Sequence, residues 1–163
     1  MPTDYYMAQL AVGQAFERVV RDHLLRIHGV DIGLHEGRAA QLLGESEAGL
    51  EIKRDGRFHQ TGNLYIETVE KSRPENPCWV SSGIRRTDNT SHYGIGDETR
   101  FFIFVKAALV AYQERADPRI IEIPMKTSRG FLLPLTLARS EDLIDREYWA
   151  VNNLTEWDCK SYR

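Results

Sequence analysis

Gly49-Leu50-Glu51-Ile52-Lys53-Arg54-Asp55 and, after a polar loop, Asn63-Leu64-Tyr65-Ile66-Glu67-Thr68-Val69-Glu70-Lys71 form the stretch on which the fold turns. Both halves alternate, so each reads as a strand, and Gly56 and Thr61-Gly62 supply turn residues between them. The expectation is a hairpin. Its first strand carries Glu51, Lys53 and Asp55 on one face and Leu50 and Ile52 on the other. Its second strand sets Leu64 and Ile66 against Tyr65, Glu67, Val69 and Lys71. A face holding carboxylates and a lysine suits metal-dependent phosphodiester hydrolysis, and it equally suits a solvated surface.

The chemistry behind the first reading is specific. A phosphodiester is anionic and repels a nucleophile. A divalent metal neutralises it and lowers the pKa of a bound water. Magnesium takes hard oxygen ligands and keeps several waters, so two or three carboxylates suffice. A lysine nearby orients or deprotonates the water, or stabilises the charge that develops. In the expected hairpin Asp55 and Glu67 lie close together as metal ligands. Lys53 sits about 7 Å along the strand from Asp55 on the same face. Glu51 is a further ligand or a partner for Lys53, and Glu17 an extra ligand if its helix packs over the strands.

Working outward, Val12, Phe16, Val19, Val20, His23, Leu24 and Ile27 recur at helical spacing and predict a helix over residues 5–27, ended by Gly29. Val30 to Leu34 alternates weakly, as a short strand would, and Arg38 to Leu43 reads as a helical turn. Residues 72–99 form a long polar connection, with strand pieces at Trp79 to Ile84 and His92 to Ile95. A connection of this length in a compact domain is more often functional than idle. Phe101 to Val105 is a buried central strand by its aromatic and β-branched content. A helix from Lys106 to Ala116 follows, stopping before Asp117-Pro118. Ile120 to Ile123 and Phe131 to Leu135 are further short strands. Ser140 starts a last helix, and Trp149 and Trp157 anchor the C-terminal segment. The order implies an α/β arrangement around a mixed sheet.

The 163 residues fit a single domain with a proper core. No apolar run is long enough to span a bilayer, and Met1 to Tyr6 lacks the basic region and apolar core of a signal peptide. These features predict a cytoplasmic protein without a membrane partner. Cys78 and Cys159 have no metal-ligand spacing and read as free thiols, buried or half-buried, with a disulfide between them left open. The net charge of −3 does not advertise nucleic-acid binding. Even so, Lys53, Arg54, Arg57, Lys71, Arg73, Arg85 and Arg86 cluster around the hairpin and its following loop. Arg54, Arg57, Lys71, Arg85, Arg86 and Asn89 are the candidate nucleic-acid contacts. His35, His59 and His92 read as surface histidines, His59 and Arg57 with the alternative of touching a phosphate. Lys106 reads equally as a solvent-facing helix start or as a reach toward the active face.

The constellation resembles the PD-(D/E)XK nuclease superfamily over roughly residues 8–106. The resemblance rests on Gly13-x-x-Phe16-Glu17 in the first helix, Asp55 ending one strand, Glu67 on the next, and the strand and helix at 101–116. Trp79-Val80-Ser81-Ser82-Gly83-Ile84, with Asp88-Asn89-Thr90 and Tyr93, is similar to a segment of small phage and prophage proteins of that fold. The resemblance implies a restriction-endonuclease-like mixed β-sheet flanked by helices, forming one nuclease-like domain over 1–163. It implies a Mg2+- or Mn2+-dependent endonuclease acting on DNA, with a homodimer as its form. Asp55, Glu67 and Glu17, with Glu51 in support, would hold the metal, and Lys53 would assist the water. Two departures stand out: no proline precedes the aspartate, and Val69 occupies the position of the expected lysine, leaving Lys53 first and Lys71 second for that role. Glu51-Ile52-Lys53 itself spells the Glu-x-Lys of the family, with an aspartate from upstream such as Asp31 completing the alternative site. A nuclease-fold module that binds nucleic acid or protein without chemistry is the competing implication. A carboxylate-pair glycosidase ranks behind both.

Overall fold

The computed structural model describes residues 4–35, 46–138 and 151–152. Its elements are α1 (Asp4–His28), β1 (Leu50–Arg54), α2 (Phe58–Thr61), β2 (Asn63–Glu70), β3 (Val80–Ser81), a 3-10 turn (Gly83–Arg85), β4 (His92–Gly96), β5 (Arg100–Val105), α3 (Lys106–Ala116), β6 (Ile121–Glu122), β7 (Ser128–Pro134), α4 (Leu135–Ala138) and β8 (Val151–Asn152). The α/β class holds. The strands form two four-stranded sheets, in the orders β1-β4-β5-β8 and β3-β2-β7-β6, where one mixed sheet was expected.

β1 and β2 form where alternation puts them, but they do not pair. β1 runs parallel to β4, with Glu51 opposite Tyr93 and Lys53 opposite Ile95. β2 lies antiparallel to β3 and β7 in the other sheet. The expected hairpin is therefore corrected, and the reason lies in its loop. Residues 58–61 make a helical turn whose Phe58 is wholly buried, and Gly62 closes it. An open polar tip would let the strands fold back on each other. A phenylalanine drawn into the core sends the chain to the second sheet instead.

The faces come out as alternation requires. Leu50 and Ile52 pack with Phe16, Val20, Leu24, Ile32, Phe101 and Ile103 beneath α1. On the other face of this sheet, Tyr93, Ile95, Phe102 and Phe104 meet Phe58, Leu64, Ile66, Phe131 and Leu133 of the second sheet and Leu109 of α3. β5 thus sends alternate side chains into two cores. α1 covers the Leu50/Ile52 face, opposite the one that carries Glu51 and Lys53, so Glu17 does not close over those residues as expected. Within the helical stripe, Phe16, Val20 and Leu24 are buried, whereas Val12 is exposed. The amides of Gly29 and Val30 bond back to Leu25 and Leu24, ending α1 where the glycine predicted.

The 30–34 segment makes only an isolated bridge, Leu34 to Ser46. The 72–99 connection is largely structured, holding β3, the 3-10 turn and β4. The strand at 101–105 and the helix at 106–116 lie where expected. Lys106 is buried rather than solvent-facing, its ammonium donating to Arg86 O, Thr90 Oγ1 and Asp88 Oδ1. Cys78 is an exposed free thiol rather than a buried one. The expected turn at 38–43, the helix from Ser140, Trp149, Trp157 and Cys159 lie outside the described residues. Among the described residues no helix is long and apolar enough to cross a membrane.

Candidate functional site

Of the four expected acidic ligands, Glu51, Asp55 and Glu67 lie between the two sheets, each held in its own way. Glu51 is 1% exposed and pairs with Lys53 at 3.0 Å. Beside them the wholly buried Tyr93 hydroxyl feels the charges of Glu51, Lys53 and Glu67 and is in hydrogen-bonding reach of the Glu67 main chain. Burial first, then the Glu51 charge, push the Tyr93 phenol well above its ordinary value, against the pull of Lys53. Glu51, Lys53 and Glu67 are thus brought into one neighbourhood, although their strands belong to different sheets.

Glu67 is clasped. Ser82 donates to its Oε1 at 2.5 Å and Ser128 to its Oε2 at 2.6 Å. Ser128 spends its single hydrogen on Glu67, so Tyr65 donates its own hydroxyl hydrogen to Ser128 Oγ across 2.8 Å. The result is a relay from Tyr65 through Ser128 to the carboxylate. Burial chiefly, with the Glu67 charge, pushes the Tyr65 phenol up to about 12, although the Ser128 bond works the other way. Two glycines close on the Glu67 main chain. A Cβ on Gly83 would lie 2.3 Å from Glu67 O, and one on Gly130 would lie 2.0 Å from Ile66 O. The ladder shifts register between Glu67 and Val69, so Thr68 bulges and donates to Arg129 O.

Asp55 lies just beyond β1, as expected, but serves the backbone. Its Oδ1 accepts the Arg57 amide at 2.9 Å and its Oδ2 the Tyr65 amide at 3.1 Å. It caps the turn into α2 and ties the end of the first sheet to the start of β2. Glu17 stands apart on α1. Among the described residues no three His, Cys, Asp or Glu side chains come together as a metal-ligand group. With Asp55 bound to amides, Glu67 to serines and Glu51 to Lys53, these residues do not fit the expected Mg2+ or Mn2+ centre.

The candidate nucleic-acid contacts are also dispersed. Arg54 makes a two-pronged ion pair with Glu98. Arg85 binds Gln113 and Glu114 of α3, Arg86 binds Glu70, and Asn89 donates weakly to Ser46 O. These four knit the chain together. Arg57 is exposed, with no side-chain ion pair among the described residues. Lys71 leads to a feature the sequence reading underrated. Its Nζ lies 4.6 Å from the Trp79 ring centre, and the Arg129 guanidinium carbon lies 4.1 Å from it. Lys71 also donates to Pro74 O and Arg129 to Glu122. The Lys71 amide bonds Thr127 O, which brings the start of β7 alongside the end of β2. Arg129 was missed because residues 126–130 read as a polar loop, whereas Arg129 belongs to β7. A tryptophan in a loop between basic segments was the available signal.

The class that fold and site define is a two-sheet α/β protein with a buried acid–lysine–tyrosine junction and a cationic indole at one end. No family model, curated protein or solved structure matches the chain.

Proposed function

We propose that the chain is a nucleic-acid-binding module whose junction carboxylates serve the fold rather than a hydrolytic metal. The observation that carries this is the pair of cations, Lys71 and Arg129, set against Trp79. The indole holds the two cations over its ring, so that they present fixed positive charge to the phosphates of a nucleic-acid strand. Of the nearby acids, Glu122 is paired with Arg129 and Glu70 with Arg86. A local basic patch can act despite the net charge of −3.

One observation favours a nuclease instead. Glu51 is buried against a lysine that is itself one-third exposed. Burying a carboxylate costs roughly several kcal/mol before pairing, so a buried acid–lysine pair calls for a role. A nuclease on this scaffold would be centred on Glu51-x-Lys53, the second arrangement the sequence offered, rather than on Asp55 and Glu67.

Fluorescence anisotropy with labelled oligonucleotides, beside a plasmid-nicking assay in magnesium or manganese, separates the two. Binding should weaken about fivefold or more in Lys71→Ala and Arg129→Ala, with each lost phosphate contact lowering the salt slope by about 0.7 to 0.9. Plasmid should stay intact. Metal-dependent nicking by the wild type that disappears in Glu51→Gln and Lys53→Ala would replace this reading with the nuclease. Wild-type affinity in both patch variants would remove the Trp79 patch from the account.

A further inference from the structure

At the other end of β2, roughly 20 Å from the Trp79 patch by strand length, a histidine is held in a manner that no role described so far requires. His59, on α2, sets Nε2 2.7 Å from Thr99 Oγ1 and 3.1 Å from Asp97 Oδ2. The imidazole is 45% exposed, whereas Asp97 is 10% exposed. Asp97 is itself fixed, since its Oδ1 accepts the Thr99 amide at 2.8 Å, the Thr99 hydroxyl at 2.6 Å and the Arg100 amide at 3.0 Å. The Thr99 hydrogen therefore goes to Asp97, so the threonine oxygen and the second carboxylate oxygen both receive the His59 Nε2–H. This fixes the tautomer and the ring plane. A carboxylate behind one imidazole nitrogen is the usual way to orient the other for a ligand. Among the described residues Nδ1 has no hydrogen-bond partner.

The acids around this corner are each engaged by partners within the fold. Glu98 is neutralised by Arg54 in a two-pronged pair. Asp55 has both oxygens on main-chain amides. Asp97 lies behind the imidazole. Arg57, two residues before His59, is exposed and without an ion pair among the described residues. We propose that His59, oriented by Asp97 and Thr99, forms with Arg57 a phosphate-binding site that takes the terminal phosphate of a nucleic-acid strand. With a proton on Nδ1 in the complex, the ring and the guanidinium fork would both donate to anionic oxygens, and such charge-assisted bonds are the strong ones. A terminal phosphate carries more charge and more open oxygens than a diester, which suits two cations at one point better than a track along a backbone.

The source of the phosphate rests on the nucleic-acid reading; the site itself does not. The experiment compares one oligonucleotide with and without a 5′-phosphate, by anisotropy, on the wild type, His59→Gln and Arg57→Ala, with inorganic phosphate as competitor. The wild type should bind the phosphorylated strand about tenfold more tightly, the value of one good charge-assisted contact. His59→Gln is the informative variant. Glutamine Nε2 reproduces the donor to Asp97 and Thr99, so the thermal midpoint should hold while the phosphate preference falls to twofold or less. Arg57→Ala should reduce the preference as well. Equal binding of the two strands by the wild type, or an undiminished preference in His59→Gln, would overturn the site and leave His59 as a brace between α2 and the β4–β5 turn. If neither strand binds, the nucleic-acid reading fails, and free phosphate is the remaining source. Inorganic phosphate must then shift the His59 ring resonances in the wild type, and no shift sinks the proposal.

Discussion

At the residue scale, the same carboxyl group can mean catalysis or construction, and its donors decide which. Asp55 was legible as a strand-end aspartate, but its acceptance of two main-chain amides depends on where residues 57 and 65 come to lie. Glu67 likewise depends on Ser82 and Ser128, which are distant in sequence and carry no signature of their own. Glu51 and Lys53 were legible as a pair because they are two apart on one strand. The buried acids also shape the pH response. Burial works against the charge of Asp88 and of Asp97, but bonds to Thr90 and Lys106 in the first case, and to Thr99, Arg100 and His59 in the second, outweigh it. Both carboxyls are held below their ordinary values, so their stabilisation is complete above the usual carboxylate range and is lost as pH falls through the lowered folded values. Tyr65 runs the other way. With its phenol raised to about 12, its contribution is complete below the ordinary tyrosine value near 10 and fades between roughly pH 10 and 12. Urea midpoints across pH should fall at both extremes. Asp88→Asn should flatten the acid limb, and Tyr65→Phe the alkaline one.

At the scale of elements, periodicity located strands and helices well and their partners badly. Residues 50–54, 101–105 and 106–116 came out as elements because alternation, aromatic content and a proline boundary are local properties. Pairing is not local. The loop at 56–62 looked like a hairpin turn because glycines mark both its ends, while Phe58 between them was the quiet sign that the loop enters a core. The tight approach of the 3-10 turn to β2 was invisible for the same reason. Gly83 combines a φ of +50° with the near contact on Glu67 O, so an alanine there meets both backbone strain and a collision. Gly83→Ala should cost about 2–3 kcal/mol, read as a lower denaturation midpoint at unchanged m-value. An alanine that leaves the midpoint in place would show that the 3-10 turn is not pinned to Glu67.

At the scale of the whole molecule, the arrangement separates construction from recognition. The junction of the sheets gathers buried polar groups, while the two ends of β2 carry exposed cations on different supports, an indole at one and an aspartate-backed imidazole at the other. Composition averages those ends with the acids that hold the junction, which is why a net charge of −3 conceals them. The sequence listed the bases. Only the fold distinguishes those tied into ion pairs, such as Arg54, Arg85, Arg86 and Arg129, from Arg57 and Lys71, which make none among the described residues.

β5 has a final consequence. Phe101 and Ile103 belong to the cluster beneath α1, and Phe102 and Phe104 to the cluster between the sheets. The strand is a party wall, and neither room can be emptied without exposing one of its sides. Loosening α1 alone leaves β5 sheltered by the second sheet, and loosening the second sheet leaves it sheltered by α1. Its amides between Phe101 and Phe104 should therefore be the slowest in the chain to exchange with deuterated solvent, at rates set by global unfolding. Faster exchange there than in β2 would mean that shelter on one side does not protect the strand.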